Sequence, residues 1–235
     1  MPLLEVDSLQ VWYGDLQALY GVSLTLDEGG VLALIGANGA GKSTLLAALC
    51  GLLDGRAAGA VRFDGRAALG RPAEALAREG IALVPEGRML FPSLSVEENL
   101  LMGTLTRRRG PWTLARVYRL FPILEQFRGR PATALSGGQQ QMVAVARALL
   151  SNPRLLLCDE ISLGLAPLVV EQIYAALASI RDEGSGLAIV LVEQDVQRAC
   201  GVADAVCCLL KGRVTLQGRA DAFDHAQIAR AYFGH

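Results

Sequence analysis

Residues 36 to 44 read Gly-Ala-Asn-Gly-Ala-Gly-Lys-Ser-Thr and fit the pattern G-x-x-x-x-G-K-[ST]. That spacing serves one chemistry, the binding of nucleotide phosphates. The backbone N–H groups of Gly36, Ala37, Asn38, Gly39, Ala40 and Gly41 can curl around phosphate oxygens because the glycines permit it. Lys42 brings a point charge to the β- and γ-phosphates, Ser43 offers a hydroxyl to Mg²⁺, and Thr44 lies in the first turn of a helix whose positive end faces the same anion. An apolar run, Val31 to Ile35, precedes the motif and a helical pattern, Lys42 to Leu53, follows it.

Two further clusters carry chemistry. The run Leu155-Leu156-Leu157-Cys158 ends in Asp159-Glu160. Beside a phosphate loop, Asp159 would reach Mg²⁺ through water and Glu160 would polarise an attacking water. Taken alone, this pattern is a strand ending in a solvated loop; the phosphate loop gives it its functional weight. Upstream stands Leu-Ser-Gly-Gly-Gln-Gln-Gln, residues 135 to 141. The N–H groups of Gly137 and Gly138, the Ser136 hydroxyl and a helix N-terminus make a second anion site. One chain does not need two such sites for one nucleotide.

The elements that position these residues can be read from pattern. Val31 to Ile35, Leu155 to Cys158 and Leu187 to Val192 are continuous apolar runs of strand length, expected as central strands of a parallel sheet covered by helices; Ala205 to Leu210 is a fourth candidate. Leu4 to Val6, Leu9 to Tyr13 and Leu24 to Leu26 read as short strands. Helices are expected at Lys42 to Leu53, Gln139 to Leu150 and Pro167 to Glu183. The alternation argues for an α/β core. Residues 96 to 130 lack strand runs and read as a helical insertion, with Arg107-Arg108-Arg109 in a solvated loop.

Composition excludes several classes. The 235 residues are 52% hydrophobic, ample for one domain. A net charge of -1 gives no nucleic-acid footprint. No apolar stretch approaches a membrane span, and no basic region precedes an apolar core at the N-terminus, so no secretory signal is expected. The five cysteines form no C-x-x-C pair, so reduced thiols in a cytoplasmic protein are expected rather than a zinc site.

Gly36 to Thr44, Leu135 to Gln141 and Leu155 to Glu160, in that order, resemble the nucleotide-binding subunit of an ATP-binding cassette (ABC) transporter. The resemblance covers nearly the whole chain, and the Ser-Gly-Gly-Gln signature is what separates this family from other phosphate-loop proteins. It implies a P-loop NTPase (RecA-like) fold of class α/β: a parallel-sheet core, an N-terminal antiparallel β subdomain and an inserted helical subdomain. The implied division is one ABC ATPase domain over 1–235, with 1–86 and 135–235 as catalytic core and 87–134 as helical subdomain. ATP and Mg²⁺ are the implied cofactors. Two cassettes, identical or related, would pair head-to-tail so that Ser136, Gly137, Gly138 and Gln139 of one cover the γ-phosphate held by the other. Membrane permease subunits would be direct partners, a periplasmic or extracellular solute-binding protein an indirect one, and nucleic acid none. The chain would sit on the cytoplasmic face of the cell membrane through the permease.

The resemblance extends position by position. Tyr13 stands where the family stacks an aromatic on adenine; the alternative is a sheet-edge tyrosine. Glu86, in Val84-Pro85-Glu86-Gly87-Arg88, stands where most members have a metal-site glutamine. Residues 91 to 100 would lie near the permease, or form an ordinary helix start with a capping box at Ser95. Gln194, in Leu191-Val192-Glu193-Gln194-Asp195-Val196, stands where most have a γ-phosphate-sensing histidine, and it cannot take up a proton near neutral pH. Together with Ser162 to Pro167 and Ala231 to Gly234, these segments resemble one subgroup, the LivF-like ATPases of branched-chain amino acid uptake systems. Cys158, Ile161 and Gln139 depart from it. The rival readings are a soluble ABC ATPase acting on nucleic acid or ribosomes, a non-catalytic regulatory cassette, and the ATPase of a urea or amide importer.

Overall fold

The computed structural model describes residues 2–233, so Gly234 of the C-terminal segment lies outside them. Antiparallel β1 (Leu4–Tyr13) and β2 (Leu16–Leu26) open the chain. The two short N-terminal strands expected from sequence are one strand. An irregularity between Val6 and Leu9, with Ser8 at φ 50°, broke the sequence pattern without ending the pairing. β3 (Val31–Ile35) leads through the phosphate loop into α1 (Lys42–Cys50). β4 (Arg56–Phe63) and β5 (Arg66–Ala67) return to the first sheet, whose order is β2-β1-β4-β5. Then come α2 (Ala73–Glu79), β6 (Ile81–Val84), α3 (Val96–Leu101), α4 (Leu114–Leu120) and α5 (Pro122–Gln126). The C-terminal part holds α6 (Gly137–Leu150), β7 (Leu155–Asp159), α7 (Pro167–Asp182), β8 (Ala188–Glu193), α8 (Val196–Val202), β9 (Ala205–Leu210), β10 (Arg213–Arg219) and α9 (His225–Phe233).

The second sheet has the order β10-β9-β3-β8-β7-β6. β9, β3, β8, β7 and β6 are mutually parallel, and β10 closes one edge antiparallel. Every residue of β3, β7 and β8 is buried, which is why their sequences lack alternation. The two faces have different covers. Leu156, Cys158, Ile189 and Leu191 pack with Val143, Ile173 and Leu177 of α6 and α7. Leu157, Val190 and Val192 pack with Leu45 and Leu49 of α1 and with Leu4, Val11 and Val61 of the antiparallel sheet. One face is therefore covered by helices only, and the expected helical layer on the other face is α1 plus the antiparallel sheet.

β4, β6 and β10 had no counterpart in the sequence reading. β6 is only four residues long, β4 is interrupted by Gly59, and β10 alternates between half-buried and exposed residues at a sheet edge. α1 stops three residues earlier than expected because Gly51 adopts φ 73° and its N–H donates to Ala47 O, a left-handed cap. The arginine run is not wholly solvated. Arg107 and Arg109 are exposed, whereas Arg108 donates through Nε to Asn152 O at 3.0 Å and through Nη1 to Arg78 O at 3.0 Å. It satisfies carbonyls at the ends of two helices, a role that tertiary contact alone reveals.

The segment between β6 and α6 is organised around one buried amide. The expected capping box forms: Ser95 Oγ accepts from Glu98 N and Glu98 accepts from Ser95 N. One turn on, Asn99 is 0% exposed. Its Nδ2 donates to Phe91 O, Leu94 O and Ser95 O at 3.1, 3.2 and 3.0 Å, and its Oδ1 accepts from Phe91 N at 2.8 Å. Of these four backbone groups only Phe91 N relies on Asn99 alone; Phe91 O, Leu94 O and Ser95 O also accept from Leu94 N, Ala132 N and Asn99 N. Asn99→Ala should lower stability by roughly 1–3 kcal/mol by leaving the Phe91 N–H unpaired. Urea unfolding should show a lower midpoint with little change in slope; a midpoint within error of the parent would refute the assignment.

Candidate active site

The phosphate loop sits at the C-terminal end of β3, and its glycines are required by close approach. A Cβ on Gly36 would overlap the Leu209 carbonyl, and Gly41 stands at φ 104° with Leu19 Cδ2 2.6 Å from where its Cβ would be. α1 begins its ladder with Leu45 N donating to Gly41 O at 2.9 Å. The amides of its first turn, Lys42 to Thr44, have no intrahelical acceptor. Lys42 is 4% exposed. Its ammonium donates to Gly36 O at 2.7 Å and Ala37 O at 3.2 Å, and lies 3.2 Å from Glu160 Oε1.

The acid pair meets this loop from β7. Ser43 Oγ donates to Asp159 Oδ1 at 3.5 Å. Burial lifts the Asp159 carboxyl above its ordinary range; Glu160 and Glu86 add repulsion, against the Ser43 hydrogen bond and Lys42. Glu160 leaves the strand at φ 46°, a left-handed conformation rare for a residue with a side chain. Its N–H donates to Val192 O at 3.1 Å, anchoring the turn on β8. Gln194, just past β8, closes the ring: its Nε2 donates to Glu160 Oε2 at 2.7 Å and to Asn38 Oδ1 at 2.9 Å. Loops from three adjacent strands, β3, β8 and β7, thus converge at their C-terminal ends, where open α/β sheets bind ligands.

The cleft so formed has a volume of about 550 Å³, ligand-sized. Asn38, Gly39, Gly41, Lys42, Ser43, Thr44, Glu86, Glu160 and Gln194 line it, with Leu16, Ala18 and Leu163 at its apolar side. Gly36, Ala37 and Ala40 support it from behind; Ala40 N donates to Ala37 O, and Ala40 O accepts from Gly212 N. Tyr13 does not line it: it is 39% exposed at the end of β1, paired with Leu16, which does. Ser136, Gly137, Gly138 and Gln139 also lie outside the cleft, at the start of α6. There the Ser136 hydroxyl accepts from Gln139 N and Gln139 Oε1 accepts from Ser136 N. Gln139 therefore completes the capping box as a glutamate would. A Cβ on Gly138 would overlap Val169 of α7, so helix packing demands that glycine. Ile161, unusual for its position, is buried against α6 and α7.

Several residues of the site were missed in the sequence. Leu16, Ala18 and Leu163 carry no chemical signal. Glu193 carries no motif of its own in the sequence, yet it is 2% exposed and accepts from Ser162 Oγ and Tyr174 OH. Its neighbour Asp195 caps α8, accepting from Arg198 N at 3.1 Å.

Comparison with known proteins agrees with this geometry. The family model described as ABC transporter matches residues 19–162. The chain is 41% identical over 235 residues to the high-affinity branched-chain amino acid transport ATP-binding protein BraG of Pseudomonas aeruginosa, covering 99% of this chain and 100% of the relative. It is 33% identical to the probable branched-chain amino acid transport ATP-binding protein LivF of Archaeoglobus fulgidus, covering 99% of each. Among solved structures, a dimeric ATP-binding cassette in a post-hydrolysis state, bound to ADP and phosphate, superposes with a TM-score of 0.81 at 26% identity, covering 94% of this chain and 100% of that one. A phosphate loop, acid pair and signature helix carried on this sheet topology, with the family match across them, place the chain in the ABC transporter family as one of its ATP-binding, ATP-hydrolysing cassettes.

Proposed function

We propose that this chain powers an importer of branched-chain or related amino acids by hydrolysing ATP at the cleft between β3, β7 and β8. The observation that carries the hydrolytic reading is the convergence of Lys42, Glu160 and Gln194 within hydrogen-bond reach at one cleft. The likeness to the BraG and LivF proteins along their whole lengths supports the class of solute.

Each residue has a role. The loop amides and Lys42 hold the phosphates, and Glu160 orients the attacking water and accepts its proton. Gln194 holds Glu160 Oε2 with one N–H and would turn the other, now given to Asn38 Oδ1, to the γ-phosphate. Because a glutamine has no proton to exchange in the physiological range, this contact does not titrate. Tyr13 would stack on an adenine from the end of β1, beside the cleft-lining Leu16 with which it pairs. Ser136 to Gln139 would serve the nucleotide of a second cassette, since they lie outside the cleft of their own chain. We assign 1–86 and 135–235 to the catalytic core and 87–134 to the helical subdomain.

The donor set fits Mg²⁺. Ser43 and Glu86 line the cleft and Asp159 lies behind Ser43, in contact with its hydroxyl; all three offer only hard oxygen donors. No cluster of three or more His, Cys, Asp or Glu among the described residues could hold a metal alone. That suits an ion whose remaining ligands are phosphates and water. Mg²⁺, when bound, supplies positive charge to the β- and γ-phosphate oxygens. The protein's part is to keep Asp159 and Glu86 close despite their repulsion.

Permease contact is assigned to the apolar cleft beside the 91–100 segment. It is lined by Leu52, Met89, Phe91, Met102 and Leu105, with Met89 68% exposed and Leu105 66% exposed. No helix among the described residues is long and apolar enough to cross a membrane, so attachment through a permease fits the chain. On this reading the protein would work at the cytoplasmic membrane face, served indirectly by a solute-binding protein.

Glu160→Gln should retain ATP binding and lose at least about 100-fold in turnover, measured as Mg²⁺-dependent phosphate release; near-parental turnover would remove Glu160 from its role. Asp159→Asn should lose activity while raising the melting temperature by about 2–4 °C without nucleotide, because it removes a buried charge repelled by two neighbours. Calorimetry showing a lower melting temperature would contradict that. Co-purification with a hydrophobic permease, followed by uptake of labelled leucine in reconstituted vesicles, tests the transport reading; uptake of an unrelated solute alone would overturn the amino-acid assignment.

A further inference from the structure

We propose that Glu193 is a positioning residue for hydrolysis: from behind the sheet its carboxylate pins Ser162 and Tyr174, and so holds Glu160 and Gln194 in place at the nucleotide cleft. The inference rests on the ATPase reading above and deepens it.

Glu193 ends β8 on the face away from the nucleotide. Val190 and Val192 point to the α1 side, and Ile189 and Leu191 to the α6–α7 side. Alternation along the strand puts Glu193 on the α6–α7 side, consistent with its partner Tyr174 on α7 and with its absence from the cleft lining. A carboxylate at 2% exposure is costly and is kept only with full hydrogen bonding. Both oxygens are satisfied: Oε1 accepts from Tyr174 OH at 2.7 Å and Oε2 from Ser162 Oγ at 2.7 Å. Ser162 precedes the exposed loop that leads into α7, and Tyr174 lies about two turns inside that helix, so one side chain ties the start of the loop and the helix it feeds to β8.

The register of these contacts is what gives them a role. Three consecutive residues at the exit of β8 hold the segment that follows β7. Val192 O accepts from Glu160 N, Glu193 accepts from Ser162 Oγ, and Gln194 donates to Glu160 Oε2. Glu160 lies between two of these anchors in a left-handed turn it would not adopt unaided. Without the Ser162 anchor, that turn is tied to β8 by one backbone hydrogen bond, Glu160 N to Val192 O, and closed on itself by Leu163 N donating to Glu160 O; its remaining holds are side chains that must also serve the nucleotide. Burial pushes the Glu193 carboxyl up, and the two hydroxyl donors pull it back.

The test uses Glu193→Ala, Glu193→Gln and the double variant Ser162→Ala/Tyr174→Phe in the full chain. Glu193→Ala and the double variant should lose about tenfold or more in kcat, with KM for ATP within about threefold. Glu193→Gln, whose amide can still pair with both hydroxyls, should stay within about threefold of the parent in kcat. Hydrogen exchange of the amides of residues 160–166, measured without nucleotide, should accelerate in Glu193→Ala and the double variant and not in Glu193→Gln. Should Glu193→Ala fail to fold, the hydroxyl-deletion variant carries the decision. Parental kcat and unchanged exchange in the double variant would overturn the proposal, as would a Glu193→Gln variant as impaired as Glu193→Ala. A parent without ATP turnover would instead sink the ATPase reading, and the exchange comparison would still decide the pin.

Discussion

The structure turns on the buried ammonium of Lys42. It is shared among two loop carbonyls and the Glu160 carboxylate, and a buried cation left without such partners would be severely destabilising. The contact joins the phosphate loop after β3 to the acid pair after β7, and Gln194 adds the exit of β8. These three strands are neighbours in the order β3-β8-β7, so the sheet itself sets the spacing of the groups. The rest of the fold supplies the walls: α6 and α7 on one face, α1 and the antiparallel sheet on the other.

The same contact implies a competition. Triphosphate oxygens and Glu160 are both anionic, and both call on Lys42. A bound nucleotide would draw the ammonium toward phosphate and leave Glu160 held by Gln194 and by its backbone anchor on Val192. Glu160 would then be free to accept a proton from water while its position is maintained. The repulsion among Asp159, Glu160 and Glu86 works in the same direction, since it is relieved by the positive charge that accompanies ATP.

Much of this was legible in the chain. The phosphate loop, the signature and the acid pair are local patterns, and each appears at the element boundary its chemistry requires. The central strands announced themselves by unbroken burial, as in Val31 to Ile35. What escaped depended on contacts between distant segments. β10 alternates weakly because it is an edge strand, β4 is interrupted by Gly59, and β6 is too short at four residues to show a period. Arg108 looked like one of three solvated charges until Asn152 and Arg78 supplied its carbonyls. Glu193 could be read only as a polar residue ending a strand, because its partners lie 31 and 19 residues earlier in the chain. Tyr13 shows the reverse: a motif position was identified, while the cleft wall beside it is Leu16.

Nucleotide affinity reads the competition for Lys42 without an intervening chemical step. ADP bears on the β-phosphate contact without the γ-phosphate that would draw in a second cassette. Titration calorimetry of ADP against the parent and Glu160→Gln compares the site with and without the competing carboxylate. The account predicts tighter binding by Glu160→Gln, by roughly 3- to 10-fold, as expected for loss of a partly buried charge competitor. Equal or weaker binding would contradict it.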